Sequence, residues 1–339
     1  MKVMEIRNEW KLDNICLGER PEPEPGPGEV LIKMKAASLN YRDFVMCQGG
    51  YGRRGGTLPL VPVSDGAGQV TAVGEGVSRV AVDDLVCPAF GQTWISGPFR
   101  EKYWHGILGG PLDGVMQEFM VLTEDGLVKA PRGWSPIQAA TLPCAAVVAW
   151  NAVIDQGHAK AGDVVLVQGT GGVSLFALLF AKIQGASVIA TSSSDEKLDR
   201  LKVLGADHVV NYKDTPDWPK AARKFTNGMG VDIVVEVGGA GTLGKSIQAA
   251  RPGGTVALIG VLSGVAGEIN LGPVVTQNIR LQGVTVGARD LFEEMVRAIE
   301  FHGIQPPVDE NLFAFDAVGE AIKSIPKGLH FGKICSSFE

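Results

Sequence analysis

The sequence predicts an α/β chain in two parts: a β-rich domain drawn from both chain ends, and a doubly wound parallel sheet between them in sequence. Three observations carry this expectation. Up to about residue 128 the chain runs in short apolar stretches broken by Gly, Pro and Asp, the pattern of strands and bends. From about residue 130, β-branched apolar runs alternate with helix-length segments, the rhythm of βαβ units whose right-handed crossovers wind a parallel sheet. Past about residue 285 that alternation ends. A chain of 339 residues has the length for two domains, and the expected division is 1–128 with 286–339, and 129–285.

Taken in order, residues 19–29, ERPEPEPGPGE, read as a proline-rich acidic surface loop that gives way to the strand VLIKMKAAS. LVPVSDGAGQVTAVGEGVSRVAVDDLVCPAF continues the strand-and-bend pattern. Residues 91–113, GQTWISGPFREKYWHGILGGPLD, form an aromatic-bearing loop of a length that is uncommon without a function. PIQAATLPCAAVVAWNAVID opens as a helix near Ser135-Pro136. DVVLVQ is a strand, GGVSLFALLFAKIQG a helix ending at Gly185, SVIAT a strand, DEKLDRLKVLG a helix ending at Gly205, and HVVNY a strand. VDIVVEV, GTLGKSIQAARPGG and TVALIGV continue the alternation, RDLFEEMVRAIEFHG is an amphipathic helix, and the tail is strand, helix and closing strand.

Composition narrows the function classes. Apolar residues make up 45 % and charged residues 20 %, as in ordinary globular proteins, and the net charge of −6 disfavours a nucleic-acid or anionic-membrane surface. No stretch approaches the length of a membrane span, and the first residues lack the apolar run of a secretory signal. Five scattered cysteines without a C-x-x-C fit reduced thiols and a cytoplasmic setting.

VVLVQGTGGVS places Gly169, Thr170, Gly171, Gly172 and Val173 between a strand and a helix. This is G-x-G-x-x-G with Ser174 last: one glycine for the tight turn, one for close approach of a pyrophosphate, and a small residue for helix–strand packing. The helix N-terminus adds unpaired N–H groups and a positive dipole end. An NAD site would carry an acid about 20 residues further on, for the ribose hydroxyls. Thr191, Ser192 and Ser193 stand there instead, and Lys197 follows one turn later. Hydroxyls and a cation suit the 2′-phosphate of NADP(H), whereas Ser194 and Asp195 read as the start of a helix.

With GEVLIKMKAASLNYRD, PVSDGAGQVTAVGEGVSRVAVDDLV, AATLPCAAVVAW, QGTGGVS, KLDRLKVLGADHVVNY and HFGKI, the chain resembles the medium-chain dehydrogenase/reductase superfamily over nearly its whole length. The resemblance implies a GroES-like catalytic domain around a Rossmann cofactor domain. In the quinone-reductase-like branch it implies that Lys197 and Tyr212 hold the 2′-phosphate. It further implies that Gly260, Val261 and Leu262 flank the nicotinamide, and that the strand IRLQGVTVG is an edge through which a homodimer forms.

In zinc alcohol dehydrogenases of this superfamily, a Cys-His pair, a Gly-His-Glu and a later Cys surround the metal. Here those positions carry Asn40 and Tyr41, Ser64 and Asp65, and Cys144. A catalytic zinc takes about three protein ligands, so no metal is expected, and Cys144 reads as a small buried residue. The five histidines show no metal spacing, and only His105, in the long loop, is placed near a substrate. LNYRD looks like the zinc-free quinone and enone reductases, which implies that Asn40 and Asp43 lie by the nicotinamide, Asn40 as a donor to a substrate oxygen and Asp43 as a positioning residue or a plain cap. Tyr51, in CQGGYGRRGG, matches a tyrosine implicated as proton donor in mitochondrial-type enoyl reductases, although GGYG is equally an ordinary loop. Tyr41 is expected to line the substrate pocket. The leading expectation is a zinc-independent NADPH-dependent reductase of an activated C=C bond or a quinone in a small-molecule substrate. Two others stand beside it: a zinc-free alcohol dehydrogenase or carbonyl reductase, and a non-catalytic NADPH-binding protein.

Overall fold

Strand Glu29–Ser38 organises the first unit. It pairs antiparallel with Asp65–Val73, with Phe119–Thr123 and with Lys333–Ser337, so segments from both chain ends share one mixed sheet. The sheet runs Val308–Ala314, Lys333–Ser337, Glu29–Ser38, Asp65–Val73, Leu85–Pro88, Leu127–Lys129. Val30, Ile32 and Met34, on alternate positions of the organising strand, are buried with Val3, Ile6, Val70 and Val86 in one apolar core. The computed structural model describes residues 1–338.

The chain divides into Met1–Val147 with the residues from Gly287 onward, and Val148–Val286. That break falls within the helical run of 136–155 rather than at 128/129. The first turns, Pro136–Ala140, pack on four strands of the first sheet. They begin as their sequence dictates, with a Ser135–Gln138 capping box and Pro at the first position. The run changes to π-helical at Leu142–Ala146, where Pro143 lacks a backbone donor, and again at Asn151–Asp155.

The second unit is a six-stranded sheet in the order His208–Asn211, Ser187–Ser192, Val164–Gln168, Val231–Glu236, Ala250–Leu258, Arg280–Gly283, every pair parallel. Chain order reverses between Val164–Gln168 and Val231–Glu236, the switch point of a Rossmann sheet. These two strands are buried almost throughout, as a sheet covered on both faces requires. A helix at Trp218–Phe225, which the sequence reading passes over, completes the alternation. It has only eight residues, of which Trp218, Pro219 and Ala222 are buried while the lysines and Arg223 face outward or are partly covered.

Helix Gly172–Ile183 buries Phe176 and Phe180 completely, and the Trp150 ring meets Phe180 edge-on with centroids 5.1 Å apart. A Phe180→Ala variant is therefore expected to lose about 3–5 kcal/mol in urea denaturation. A loss below about 1 kcal/mol would contradict this packing.

Candidate active site

Strand register assembles the polar centre of the first unit. Ser38 pairs with Asp65 on one side and Cys335 on the other, and Leu39 N–H donates to Ile334 O at 2.9 Å. Residues 39–43, 63–65 and 333 are thus brought together from three distant segments. Lys333 is buried, and its Nζ donates to Leu39 O at 2.6 Å and to Asn40 Oδ1. The same Nζ lies 4.0 Å from Asp65 Oδ2. Asp65 is fully buried and accepts from Ser64 Oγ at 2.7 Å and from the Cys144 backbone N–H at 3.0 Å. Burial pushes its carboxyl above the ordinary range, while the Lys333 charge and these hydrogen bonds oppose the rise.

An ammonium only donates, so Lys333 fixes the Asn40 amide with its oxygen toward the lysine. The Nδ2 end is buried without a hydrogen bond of normal geometry, and it acts on the Asp65 carboxylate. The amide expected to reach a substrate oxygen is instead turned into the protein. The cause is the Lys333 ammonium, whose partner only the fold reveals.

Asp43 is the third residue of helix Tyr41–Met46, and its Oδ2 accepts from Asn40 N–H at 2.8 Å, the cap reading of that residue. Arg42, between the two motif positions, is a site residue that the sequence reading passes over. Its guanidinium donates to Leu108 O at 3.1 Å, Gly110 O at 3.4 Å and Asp43 Oδ1 at 3.4 Å. It also stacks over Phe90 at 4.9 Å and Tyr51 at 5.8 Å. Tyr51 is partly exposed, and burial raises its phenol pKa, against the charge and a hydrogen bond of Arg42. Tyr41, the first residue of the same helix, packs its ring toward Phe44, centroids 5.8 Å apart. Cys144, read from the sequence as a small buried residue, keeps some exposure, and burial of its thiol followed by the Asp65 charge pushes the thiol pKa up.

Two features of the long loop bear on the site. Leu108 and Gly110 supply the carbonyls that receive Arg42, and Trp94, Phe99, Tyr103 and Trp104 form a ring cluster. His105 is exposed on the turn Glu101–Gly106. Val63, just before Ser64, holds φ at 72°, a strained value for a β-branched residue. A hydrogen bond from Val115 N–H at 2.8 Å pins it, and Gly114 passes so close that a Cβ would sit 2.1 Å from Val63 O.

The donor set does not fit a catalytic zinc. Among the described residues no three His, Cys, Asp or Glu side chains converge. At the positions of the family's ligands stand an amide, a hydroxyl, a carboxylate and one thiol, with an ammonium 4.0 Å from the carboxylate.

The second unit carries the glycine turn. Gly169 holds φ at 74°, and a Cβ built on Gly169 or Gly171 meets nothing within 4 Å, so the space over the turn is open for a pyrophosphate. Gly171 is the N-cap of helix Gly172–Ile183, and Ser174 Oγ donates to Gln168 O at 2.6 Å, which draws helix onto strand. Thr170 is buried, and Val173 packs with Val148, Ala152, Ala257 and Val284. At the switch point the fully buried Glu236 accepts from Gly238 N–H at 2.7 Å, Gly239 N–H at 3.0 Å, Thr242 Oγ1 at 2.6 Å, Gln168 Nε2 at 2.9 Å and Ser246 Oγ. A buried carboxylate needs such donors, and they tie the strand end at Gln168 to the 237–242 loop.

Ser192 is buried at the end of its strand, its Oγ accepting from Ser194 N–H at 3.3 Å, and Tyr212 N–H donates to Ser192 O at 3.0 Å. Ser193 follows Ser192, and Ser194 is the N-cap that accepts from Lys197 N–H at 3.4 Å. Asp195 is the first helical residue and accepts from Asn211 Nδ2 at 2.8 Å. Ser192, Ser193, Lys197 and Tyr212 thus gather at the same end of two neighbouring strands. Gly260, Val261 and Leu262 follow the strand Ala250–Leu258, the last two half-exposed.

Comparison with known proteins agrees with this architecture. A model of the alcohol dehydrogenase GroES-like domain matches residues 26–132, and a model described as zinc-binding dehydrogenase matches 172–300. A zinc-type alcohol dehydrogenase-like protein of Schizosaccharomyces pombe is 44 % identical over 314 residues, 91 % of this chain and 90 % of that one. An acryloyl-coenzyme A reductase of Sulfurisphaera tokodaii is 28 % identical over 94 % of this chain and 95 % of its own. The crystal structure of an NAD-dependent alcohol dehydrogenase, 34 % identical, superposes with a TM-score of 0.91 over 100 % of both chains.

The Asp43 carboxyl is pushed from 3.8 up to about 6, by burial first and by the Asp65 charge, against Arg42 and Lys333. Below pH about 3.8 both folded and unfolded states hold the proton; between there and about 6 only the folded state does. The protonated group thus favours folding at low pH, and that contribution is lost as pH rises through about 6. In urea denaturation from pH about 4 to about 7, Asp43→Asn is expected to gain up to about 3 kcal/mol relative to wild type. A pH-independent difference would contradict the raised carboxyl.

Proposed function

We propose for this chain, which belongs to the medium-chain dehydrogenase/reductase superfamily, a zinc-independent reduction of an activated C=C bond (an enone or enal) or a quinone, with NADPH as hydride source. One observation carries it: where zinc relatives need metal donors, this chain sets the buried Lys333 and Asp65 against each other, with the half-buried Asn40 amide held by Lys333. A Lewis acid serves carbonyl reduction and alcohol oxidation most directly. A conjugated alkene asks for less: hydride at the β-carbon, hydrogen bonding to the enolate oxygen, and a proton for the α-carbon.

When bound, the nicotinamide cofactor supplies the hydride. Gly169 to Val173 and the helix behind them receive its pyrophosphate. Ser192, Ser193, Lys197 and Tyr212 receive the 2′-phosphate, and Gly260, Val261 and Leu262 border the nicotinamide ring. Tyr51, like any tyrosine, is protonated at neutral pH and has a proton to give, and burial moves its pKa further up. Tyr41 lines the pocket, and Asn40 and Asp43 hold the polar floor beneath it. The edge strand Arg280–Gly283 leaves one side of the parallel sheet unpaired, and we place a second copy of the chain there.

The second reading is a carbonyl reductase or alcohol dehydrogenase, supported by the alcohol-dehydrogenase-like relatives. NADPH oxidation with a panel of enones, enals and quinones, followed by NMR of the product, separates the two. Loss of the C=C signals with the carbonyl retained, at a rate unchanged by a zinc chelator, is expected. Loss of the carbonyl from an enal, or inactivation by the chelator with recovery on adding zinc, would overturn the first reading.

Ser192→Asp sets a carboxylate beside the proposed 2′-phosphate site. Weakening of NADPH binding by about tenfold or more is expected, with NADH binding retained or improved. Fluorescence titration with both cofactors measures it, and an unchanged preference would remove Ser192 from the phosphate site.

A further inference from the structure

Arg42 is nearly buried, its side chain 10 % exposed, and its surroundings are unusual for a surface arginine. Two backbone carbonyls and one carboxylate oxygen clamp the guanidinium, and its face lies over two aromatic rings. The carbonyls come from 108–110, the carboxylate from the same helix, and one ring is that of Tyr51. An arginine so held cannot swing away, and its charge does not titrate.

We infer that Arg42 is a positioning residue for proton delivery: its clamped guanidinium stands behind the Tyr51 phenol and stabilises the phenolate that proton transfer leaves. This rests on the proposed reaction, in which Tyr51 is the donor. After hydride from NADPH reaches the β-carbon, the Tyr51 O–H bond breaks and its proton forms the new C–H bond at the α-carbon. The O–H electron pair stays on the phenolate oxygen, beside Arg42, until a proton from water restores the phenol. The groups that face Tyr51 are Arg42 and Asp43 from helix Tyr41–Met46, and Cys144 from the π-helical segment Leu142–Ala146. Of these Arg42 alone carries positive charge. It favours the phenolate, whereas burial and the acidic groups oppose it.

The test reads Tyr51 directly. Replacing tyrosine throughout by fluorotyrosine gives four ¹⁹F signals, one per tyrosine, and Tyr51→Phe identifies the relevant one by its loss. Titration of that signal is expected to shift upward by about one pH unit or more in Arg42→Gln, and by less in Arg42→Lys, which keeps the charge. The basic limb of kcat against pH should move upward with it, while kcat on the plateau falls about 10- to 100-fold. A merely structural Arg42 would lower the plateau and leave both the limb and the signal where they are, which would overturn the inference. If Arg42→Gln does not fold, Arg42→Met, which removes the charge and keeps an apolar side chain against Phe90, decides: an unshifted signal refutes the coupling. A shifted signal in a protein that reduces no alkene would leave the Arg42–Tyr51 coupling in place and sink the proposed reaction instead.

Discussion

The buried ammonium of Lys333 is the constraint on which the first unit's polar centre depends. A buried charge is tolerable only when paired and hydrogen-bonded, and removing one partner of such a pair is strongly destabilising. Lys333 meets that demand with Leu39 O, Asn40 Oδ1 and the nearby Asp65 carboxylate. Each of those partners is then held in turn. The amide of Asn40 can face only one way, Asp65 gathers the Ser64 hydroxyl and the Cys144 backbone, and the Asn40 backbone binds Asp43. The sheet delivers the pair to one place because Ser38 is flanked in register by the strands that carry Asp65 and Lys333.

At and beside the positions that match the family's zinc ligands, this chain gathers an ammonium, an amide and a carboxylate of its own. A floor of two carboxylates, one ammonium, one guanidinium and one amide is balanced in charge, Lys333 facing Asp65 and Arg42 facing Asp43. Tyr51 and Cys144 keep partial exposure, and the Arg42 guanidinium lies 5.8 Å from the Tyr51 ring centroid. Val63 shows what this costs locally. Its left-handed backbone aims Ser64 and Asp65 inward, and its neighbours from 109–115 hold it there.

The second unit solves a parallel problem with one carboxylate. Glu236 is buried at the switch point and satisfied by five donors from the strand end at Gln168, the loop after its own strand and the helix Ala240–Ala249. The glycine turn and the 237–242 loop are thereby fixed relative to each other before any ligand arrives. Preorganisation of this kind lowers the ordering cost of binding.

The α/β alternation and the glycine turn were legible in the sequence because their signals are local: β-branched runs, capping residues, and glycines at a strand–helix junction. Family membership followed from motifs spread along the whole chain. The short helix Trp218–Phe225 was missed because it spans only eight residues, although Pro219 in its first turn and the buried Trp218 and Ala222 mark it. The domain break at Val147/Val148 was not legible, since one continuous helical run crosses it and only packing shows which turns belong where. Asn40, Tyr51 and Asp43 could be picked out by motif position, yet not the direction of the Asn40 amide or the place of Arg42. Those depend on a lysine nearly 300 residues away and on backbone carbonyls at 108 and 110. By itself the sequence determined the elements and the turn chemistry, which act over a few residues. Only the tertiary structure decided which charges are paired and which way the donors point, because register and loop closure set those distances.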